Sequence, residues 1–276
     1  MTKRVEIVVL NWNGWIDTIA CLVSLQALDY PNFHIIVVDN ASSDDSVAQI
    51  MKATPQVELL CSATNLGFGG GCNVGIRKAI SRHAEFVWLI NSDATAHPSA
   101  LSALVNMAES NATIGSVGSV LFDAGTVDHI QTWGGGQVKL WSGRCSNQRS
   151  PARLDFISGA SVLLRCKALT ASGVFDESTF FMYWEDTDLA FRLRKANWTL
   201  AVAENSWIWH KQSASVGRQS AALDRLFTQS GVRFLRRYAA SPFASITLML
   251  ARMLIKRLLL GDWKRVCAVI EGRRSA

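Results

Sequence analysis

The stretch "VEIVVLNWNGWIDTIACLVSLQAL", residues 5–28, predicts the first strand and the first helix of an α/β fold. Apart from Glu6, residues 5–10 are all aliphatic, which is typical of a buried strand, and residues 15–28 have the apolar spacing of a helix. The turn between them reads "NWNGW". A dinucleotide-binding fold has several glycines at this turn, where its backbone approaches a pyrophosphate. The turn therefore argues against a nicotinamide-dependent oxidoreductase.

Strands and helices continue to alternate along the first half of the chain. Further strands are predicted at residues 35–38, 57–61 and 86–90, and further helices after Ser43 or Asp44 and over residues 73–81 and 99–109. This alternation predicts an α/β fold with a mostly parallel central sheet covered by helices. Ligands of such sheets bind beyond the carboxyl ends of the strands. The residues that follow the predicted strands are Asn11, Asp39, Asn40, residues 65–71 and residues 91–93.

The second half of the chain is less regular. Residues 127–150, "VDHIQTWGGGQVKLWSGRCSNQRS", predict a loop-rich or hairpin insertion. Residues 156–165 predict a strand, and residues 187–196 a helix with one apolar face. We expect a catalytic domain over residues 1–232 and a helical tail over residues 233–276.

Several polar positions have both a structural and a functional interpretation. The glycine-rich stretch at residues 65–71 is either a flexible turn or a loop that approaches a phosphate or nucleoside. Asp39 either caps the next helix or accepts a hydrogen bond from a base or ribose, because Ser43 or Asp44 can supply the cap. Asp93 is either an ordinary turn residue or an oxygen ligand for a divalent cation. His210, taken alone, is more often structural than a ligand.

Three acids lie close together in "FFMYWEDTDLAFRLRKAN", residues 180–197. Glu185, Asp186 and Asp188 follow five apolar or aromatic residues, so they lose hydration unless something pairs with them. A helix cap accounts for one acid, and a downstream arginine, such as Arg192, accounts for another. At least one carboxylate is left without a structural reason.

Composition and charge narrow the function classes. The six cysteines are scattered without a CxxC pair, which predicts free thiols in a reducing compartment. The apolar run at residues 5–10 is too short for a secretory signal. Of the formal net charge of +6, residues 233–276 carry +8, so the first 232 residues carry −2. A nucleic-acid-binding protein would have its basic surface on the main fold, so no nucleic acid partner is expected.

The tail reads as a basic amphipathic helix. Leu254, Ile255 and Leu258 share one side, with Arg252 and Lys256 on the other. No apolar run here reaches the roughly 20 residues that a membrane span needs. The pattern favours peripheral contact with an anionic membrane surface. The alternative is a helix packed on the catalytic body or in a dimer interface, and the sequence gives no prediction of oligomeric state.

Taken together, the motifs resemble the inverting family 2 glycosyltransferases with the GT-A fold. Seven elements occur in the order of that family between residues 5 and 215: "VVLNWNG", "VVDNASSDDS", "NLGFGGGCNVG", "WLINSDA", "FISGASVLLR", "FFMYWEDTDLAFRLRKAN" and "WIWHKQSAS". Within the family, the pattern resembles bacterial rhamnosyltransferase-like and galactofuranosyltransferase-like enzymes of surface polysaccharide assembly.

The resemblance implies where a nucleotide-sugar donor binds. The main chain near Asn11 and the side chain of Asp39 would hold the base, and residues 65–71 would close over the nucleoside. Asp93 matches the last acid of the DxD motif of the family and would bind a divalent metal, Mg²⁺ or Mn²⁺. Asn91 replaces the first acid of that motif, and His210 stands near the position of a histidine ligand in some members. The other implied donor- or acceptor-binding residues are Asn40, Asn65, Gly67, Phe68 and Trp184.

The resemblance also implies the chemistry. Asp186 would be the catalytic base and Glu185 would orient the acceptor or support the base, whereas Asp188 caps the helix or pairs with Arg192. The reaction would move a sugar, such as rhamnose from dTDP-rhamnose, to a hydroxyl of a glycan or lipid-linked acceptor. We expect a cytoplasmic protein at the inner face of the cell membrane. The alternative is a non-catalytic relative that binds a nucleotide-sugar and acts as an assembly partner.

Overall fold

The computed structural model describes residues 2–126, 129–211 and 220–276. The strands are β1 (Val5–Asn11), β2 (Phe33–Asp39), β3 (Glu58–Cys61), β4 (Phe86–Asn91), β5 (Ala94–Ala96), β6 (Ile114–Asp123), β7 (Ile130–Trp133), β8 (Gly135–Lys139), β9 (Arg144–Asn147), β10 (Phe156–Ile157), β11 (Ser161–Arg165) and β12 (Thr199–His210). The helices are α1 (Trp15–Gln26), α2 (Ser46–Ala53), α3 (Gly67–Ser81), α4 (Ala100–Ser110), α5 (Cys166–Ser172), α6 (Glu185–Lys195), α7 (Ala221–Tyr238), α8 (Pro242–Leu259) and α9 (Trp263–Arg274).

A nine-stranded sheet forms the centre of the described part of the chain, in the order β3-β2-β1-β4-β11-β6-β12-β5, with β7 beside β6. Strands β3, β2, β1 and β4 are parallel, as the alternation of strands and helices predicts. The other half is mixed, because β11 is antiparallel to both β4 and β6, whereas β6 and β12 are parallel. Strand β11 begins at Ser161 beside Ile90, near the carboxyl end of β4, so it runs back along that strand.

The predicted insertion contains strands. Within the described residues of 127–150, β7 joins the central sheet, and β8 and β9 form an antiparallel hairpin. Val127 and Asp128 lie outside the described residues. Strand β10 pairs with β8, so the hairpin and β10 form a second, three-stranded sheet. The hairpin interpretation of this stretch is therefore confirmed.

The glycine-rich stretch is the start of a helix, which corrects the prediction of a loop over residues 65–71. Helix α3 begins at Gly67, whose φ is 74°, a region that other residues seldom occupy. A Cβ atom at Gly67 would lie 2.0 Å from the carbonyl oxygen of Phe181, and one at Gly71 would lie 2.4 Å from a methyl of Leu10. Here glycine permits close contact between α3 and its neighbours, so the stretch is not a flexible turn.

Helices cover both faces of the central sheet. Leu22 of α1 and Leu101 of α4 belong to one buried cluster, and Ile76 of α3 and Leu189 of α6 belong to another. Full burial of such a side chain contributes about 1.5–3 kcal/mol. A third cluster lies among α6, α7, α8 and α9. The six cysteines are free, as expected.

The C-terminal helices pack with one face onto the rest of the described chain. Met249 and Met253 of α8 are buried with Phe234 of α7. Helix α7 runs across the predicted domain boundary between residues 232 and 233. The nearly buried carboxylate of Asp224 accepts hydrogen bonds from Arg257 and Arg265, which ties α7 to α8 and α9. In the described residues, none of the helices combines the length and hydropathy that a membrane span requires.

Candidate active site

A cavity of about 350 Å³ opens at the carboxyl ends of β1 and β4. It is bounded by the start of α3, by the turn that joins β10 to β11, by the residues just before α6 and by the end of β12. The lining residues are Leu10, Trp12, Asn40, Asn65, Gly67, Phe68, Asn91, Ser92, Asp93, Ser158, Gly159, Ala160, Met182, Tyr183, Glu185, Asp186 and His210.

The cavity brings together most of the site residues predicted from the sequence. The predicted residues that line it are Asn40, Asn65, Gly67, Phe68, Asn91, Asp93, Glu185, Asp186 and His210. Asn11, Asp39 and Trp184 do not line it. The predicted residues that line the cavity come from five separate regions of the chain, so only the tertiary fold could place them relative to one another.

The side chain of Asp39 forms hydrogen bonds with Asn11 and Ser42. Its Oδ1 accepts hydrogen bonds from Asn11 Nδ2 at 2.8 Å and from Ser42 Oγ at 2.6 Å, and its Oδ2 accepts one from the Ser42 N–H at 3.0 Å. Asp39 is 2% exposed and Asn11 is fully buried. Their side chains therefore hold the ends of β1 and β2 together beneath the cavity.

Asn40 connects the end of β2 to the start of α3. Its Nδ2 donates to the carbonyl oxygen of Gly67 at 3.0 Å and to Asn65 Oδ1 at 3.1 Å, and its Oδ1 accepts from the N–H of Leu66 at 2.9 Å. Asn40 is 2% exposed, so these bonds are shielded from water. The Asn40 side chain therefore ties the start of α3, which forms one wall of the cavity, to the end of β2.

Trp184 is a structural residue, which corrects its predicted role in substrate binding. It is buried among the C-terminal helices, with its ring centroid 4.8 Å from that of Phe234 and 5.5 Å from that of Phe227. Tyr183 and Trp184 both have a φ of 69°, an uncommon backbone region for bulky residues. This turn directs Trp184 into the core and leaves Met182 and Tyr183 at the cavity.

Asp186 lies at the start of α6 and faces the turn between β10 and β11. Its Oδ2 accepts from the Gly159 N–H at 3.2 Å, and its Oδ1 accepts from the Thr187 N–H at 2.6 Å. Desolvation raises the pKa of Asp186, although these hydrogen bonds act in the opposite direction. A carboxylate with a raised pKa is a stronger base than an ordinary one, which suits proton abstraction.

Glu185 is buried beside Asp186. Burial raises its pKa well above the usual range, and the negative charge of Asp186 adds to this effect. Within the described residues, its Oε2 has no hydrogen-bond partner. These two neighbouring carboxyls therefore disfavour simultaneous ionisation, and Glu185 is the one more strongly held in its neutral form.

Asp188 has a structural role, as the sequence predicts. It is fully buried, and its Oδ2 accepts from Arg192 Nε at 2.7 Å. Its Oδ1 accepts from Arg237 at 2.8 Å and from the Tyr238 hydroxyl at 2.8 Å. Arg237 belongs to the predicted tail, so the C-terminal region helps to fix the helix that carries Asp186.

Asp93 and His210 meet at one end of the cavity. Asp93 Oδ1 lies 3.1 Å from His210 Nε2, and Asn91 Nδ2 lies 3.2 Å from the same nitrogen. Strand β5 pairs with β12 here, with Ala94 opposite His210. This pairing explains why two residues far apart in the sequence become neighbours.

The Asp93–His210 pair fits a divalent cation. Two adjacent ligands of an octahedral Mg²⁺, each at about 2.1 Å, lie about 3 Å apart, and the observed separation is 3.1 Å. Among residues 2–126, 129–211 and 220–276, no group of three or more His, Cys, Asp or Glu residues could hold a metal. A cation held here would have two protein ligands, Asp93 and His210, so its other ligands would have to come from a substrate or water.

Sequence reasoning missed several residues of the cavity. Trp12 directly follows β1, so its position at a strand end was the available signal. Gly159 belongs to a stretch predicted as one continuous strand, and nothing in its pattern marks the turn between β10 and β11. Gln131 does not line the cavity, but its Oε1 lies 2.8 Å from His210 Nδ1. It belongs to the insertion, where no sequence motif indicated a residue of the site.

Comparison with known proteins finds similarity to glycosyltransferases. The family model described as glycosyl transferase family 2 matches residues 6–169. The chain is 26% identical over 252 residues to an N-acetylglucosaminyl-diphospho-decaprenol L-rhamnosyltransferase of Mycobacterium tuberculosis, and the match covers 80% of this chain and 80% of that relative. It is 27% identical over 154 residues to galactofuranosyltransferase GlfT1 of the same organism, covering 53% of this chain and 50% of GlfT1.

The fold is similar to that of a solved mannosyltransferase from Pyrobaculum calidifontis in complex with GDP-Man and Mn²⁺. The TM-score is 0.61 at 16% sequence identity, and the match covers 99% of this chain and 74% of that one. At this identity the likeness bears on the fold alone. The predicted α/β fold of GT-A type, with helices at the C-terminus, is confirmed.

Proposed function

We propose a specific reaction for this chain, which belongs to glycosyl transferase family 2 and is a sugar-transferring enzyme of rhamnosyltransferase-like type. It transfers a sugar, with inversion, to a hydroxyl of a glycan or lipid-linked acceptor. The proposed pathway is the synthesis of a bacterial cell-surface polysaccharide. The proposed donor is a nucleotide-sugar such as dTDP-rhamnose, which the similarity to a rhamnosyltransferase supports.

A single observation carries the proposal: Asp186 shares one cavity with the Asp93–His210 pair. An inverting transfer needs a base on one face of the sugar and a binding site for the departing diphosphate on the other. The cavity supplies a carboxylate with a raised pKa for the first task and the proposed cation site for the second.

Asp186 is the proposed base. It accepts the proton of the acceptor hydroxyl as the oxygen of that hydroxyl attacks the anomeric carbon. The new bond joins this oxygen to the anomeric carbon, and the bond from that carbon to the diphosphate oxygen breaks on the opposite face, so the configuration inverts. Glu185 is proposed to stay neutral and to orient the acceptor, while Met182 and Tyr183 exclude water from the sugar.

Asp93 and His210 are proposed to hold a divalent metal, Mg²⁺ or Mn²⁺. When bound, the metal offsets the charge on the diphosphate leaving group. Asn91 lies beside the pair and keeps a hydrogen-bonding group where the family motif has an acid. Asn65, Gly67 and Phe68 at the start of α3 are proposed to contact the nucleoside.

The exposed face of α8 is proposed as a peripheral membrane contact at the inner face of the cell membrane. Leu259 is 82% exposed, Leu260 63%, Ile255 57% and Leu248 45%, and they line one continuous surface. Arg252 and Lys256 line the same surface, which corrects the prediction that they lie on the side of the helix opposite Ile255. An exposed apolar surface with basic neighbours suits anionic lipid. A lipid-linked acceptor would be presented at such a surface.

A donor screen tests the proposed function. The wild-type melting temperature is measured with a set of nucleotide-sugars, with and without Mg²⁺ or Mn²⁺, because a ligand that binds the native state raises it. The nucleotide-sugar that binds is then supplied with candidate acceptors, and NMR reports the anomeric configuration of the product. A product that retains the donor configuration, or a cavity that binds no nucleotide-sugar, would contradict the proposal.

A further inference from the structure

Gln131 is a nearly buried residue of β7 whose side chain contacts His210 from outside the cavity. Its Nε2 donates to Asp123 Oδ1 at 2.8 Å and to the main-chain carbonyl oxygen of His210 at 3.3 Å. Its Oε1 lies 2.8 Å from His210 Nδ1. Gln131 is 9% exposed and His210 is 7% exposed, so water competes little for these contacts.

These partners determine the orientation of the Gln131 amide. A carboxylate oxygen of Asp123 and the carbonyl oxygen of His210 are acceptors without a hydrogen of their own, so each requires a donor. The NH₂ group of Gln131 has two hydrogens and supplies both. The carbonyl oxygen of Gln131 must then face His210 Nδ1, which consequently carries a hydrogen.

The position of this hydrogen decides what His210 presents to the cavity. In a neutral imidazole only one ring nitrogen carries a hydrogen, so Nε2 has a free lone pair when Nδ1 is protonated. Nε2 is the nitrogen that lies 3.1 Å from Asp93 Oδ1 and 3.2 Å from Asn91 Nδ2. In the neutral ring with a hydrogen on Nδ1, the lone pair is therefore on the cavity side. The Asp93 carboxylate by itself would attract the hydrogen to Nε2, so the contact with Gln131 is what favours Nδ1.

We propose that Gln131 is a positioning residue that keeps the hydrogen of His210 on Nδ1 and thereby presents Nε2 to a divalent cation. The cation itself rests on the proposed function. A histidine that binds a metal generally donates its other N–H to an oxygen acceptor, and loss of that acceptor typically lowers metal affinity by about 10- to 100-fold. Asp123 holds Gln131 in place and is itself in contact with His129.

The first experiment needs neither metal nor donor. The ¹⁵N resonances of the His210 ring are recorded in wild-type protein and in Gln131→Met, at a pH where the neutral ring predominates. Wild-type protein should carry its hydrogen on Nδ1, and Gln131→Met should shift a measurable fraction of it to Nε2. An unchanged tautomer in Gln131→Met overturns the proposal.

The second experiment measures Mn²⁺ affinity in the presence of dTDP, with free Mn²⁺ followed by electron paramagnetic resonance. Gln131→Met should weaken Mn²⁺ binding by about 10-fold or more. In a His210→Ala background, the same substitution should cause no further loss, because Gln131 acts through His210. An equal loss in both backgrounds would show a merely structural effect and would overturn the proposal.

A second pair of variants covers the case in which Gln131→Met does not fold. Asp123 is at the surface end of the contact chain, so Asp123→Ala should release the Gln131 amide and shift the tautomer, whereas Asp123→Asn keeps an oxygen acceptor and should leave it largely unchanged. Equal tautomers in the two variants contradict the proposal. If wild-type protein transfers sugar but binds no Mn²⁺, the cation role of Gln131 fails while the proposed function stands.

Discussion

The main-chain N–H of Gly159 donates a hydrogen bond of 3.2 Å to Oδ2 of Asp186. The contact fixes the candidate base against the turn between β10 and β11, while Oδ1 is held by Thr187. Each carboxylate oxygen has more than one lone pair, so a further hydrogen bond from an acceptor hydroxyl is still open to Asp186. The candidate base is therefore oriented before any substrate binds.

Asp186→Asn should abolish transfer while donor binding stays close to wild type. The amide is nearly the same size but cannot take the proton, and loss of a general base typically costs about 10²- to 10⁴-fold in rate. Single-turnover kinetics and donor titration measure the two effects, with Glu185→Gln as the matched variant. Near wild-type turnover in Asp186→Asn together with a large loss in Glu185→Gln would reverse the assignment.

The rate should fall in acid at a higher pH than for an ordinary carboxylate base. Asp186 must be ionised to accept a proton, and desolvation raises its pKa. The acidic limb of the kcat/KM profile should therefore lie above about pH 4, the usual range of an aspartate. Melting temperatures over the same range separate this effect from unfolding, and a limb at or below that pH would contradict the role of Asp186.

Glu185→Gln should make stability less dependent on pH. The folded-state pKa of Glu185 is raised, so its stabilising contribution is complete below the unfolded pKa of about 4.3 and is lost as the pH rises through the folded pKa. The loss is at most about 1.4 kcal/mol per pH unit. Urea unfolding at pH 5 and pH 8 measures it in the metal-free protein.

The exposed residue Glu204 provides the control for this measurement. Glu204→Gln removes the same type of carboxyl from an exposed position and should retain the wild-type difference between pH 5 and pH 8. If Glu185→Gln also kept the full wild-type difference, Glu185 would not be the carboxyl that titrates with folding.

Asp93→Ala and His210→Ala should each weaken metal-dependent donor binding. Each substitution removes one of the two protein ligands proposed for the cation, whose binding depends on hard oxygen and one imidazole. Isothermal titration of dTDP with and without Mn²⁺ measures the metal-dependent part of the affinity. An unchanged metal requirement in His210→Ala would make His210 a structural residue.

The substitutions Ile255→Ser and Leu259→Ser should weaken binding to anionic liposomes without unfolding the protein. Both side chains lie on the exposed face of α8, whereas truncation before α8 would remove Met249 and expose Phe234 of α7. Val23→Ser is the matched control, because Val23 is 57% exposed on α1, as is Ile255 on α8. Co-sedimentation at low and high salt should also show weaker binding at high salt, since surface charges are screened.

If the Ile255 and Leu259 variants sediment with liposomes as the wild-type protein does, the membrane proposal fails. If they instead change the oligomeric state, the exposed face of α8 is an interface between copies of the chain. Analytical ultracentrifugation of the same variants distinguishes these two outcomes.

The apolar strand segments of the first half of the chain made that part of the fold predictable from the sequence. Strands β1, β2 and β4 consist mainly of apolar residues buried by helices on both faces, so their composition identifies them. The residues at their carboxyl ends, such as Asn40 and Asp93, could be placed near the site because parallel strands end at one edge. The reversal of β11 was not predictable, since it depends on the turn at Gly159 and on which strand lies beside it.

The sequence by itself determined the α/β class, the family and the candidate acids, because these depend on local periodicity and on short motifs in a fixed order. Tertiary structure alone decided that Trp184 packs in the core, that Asp39 bonds with Asn11, and that Gln131 contacts His210. The physical reason is that a polar or aromatic side chain takes its role from the partners that the fold brings to it. Those partners lie far away in the chain, where no local pattern records them.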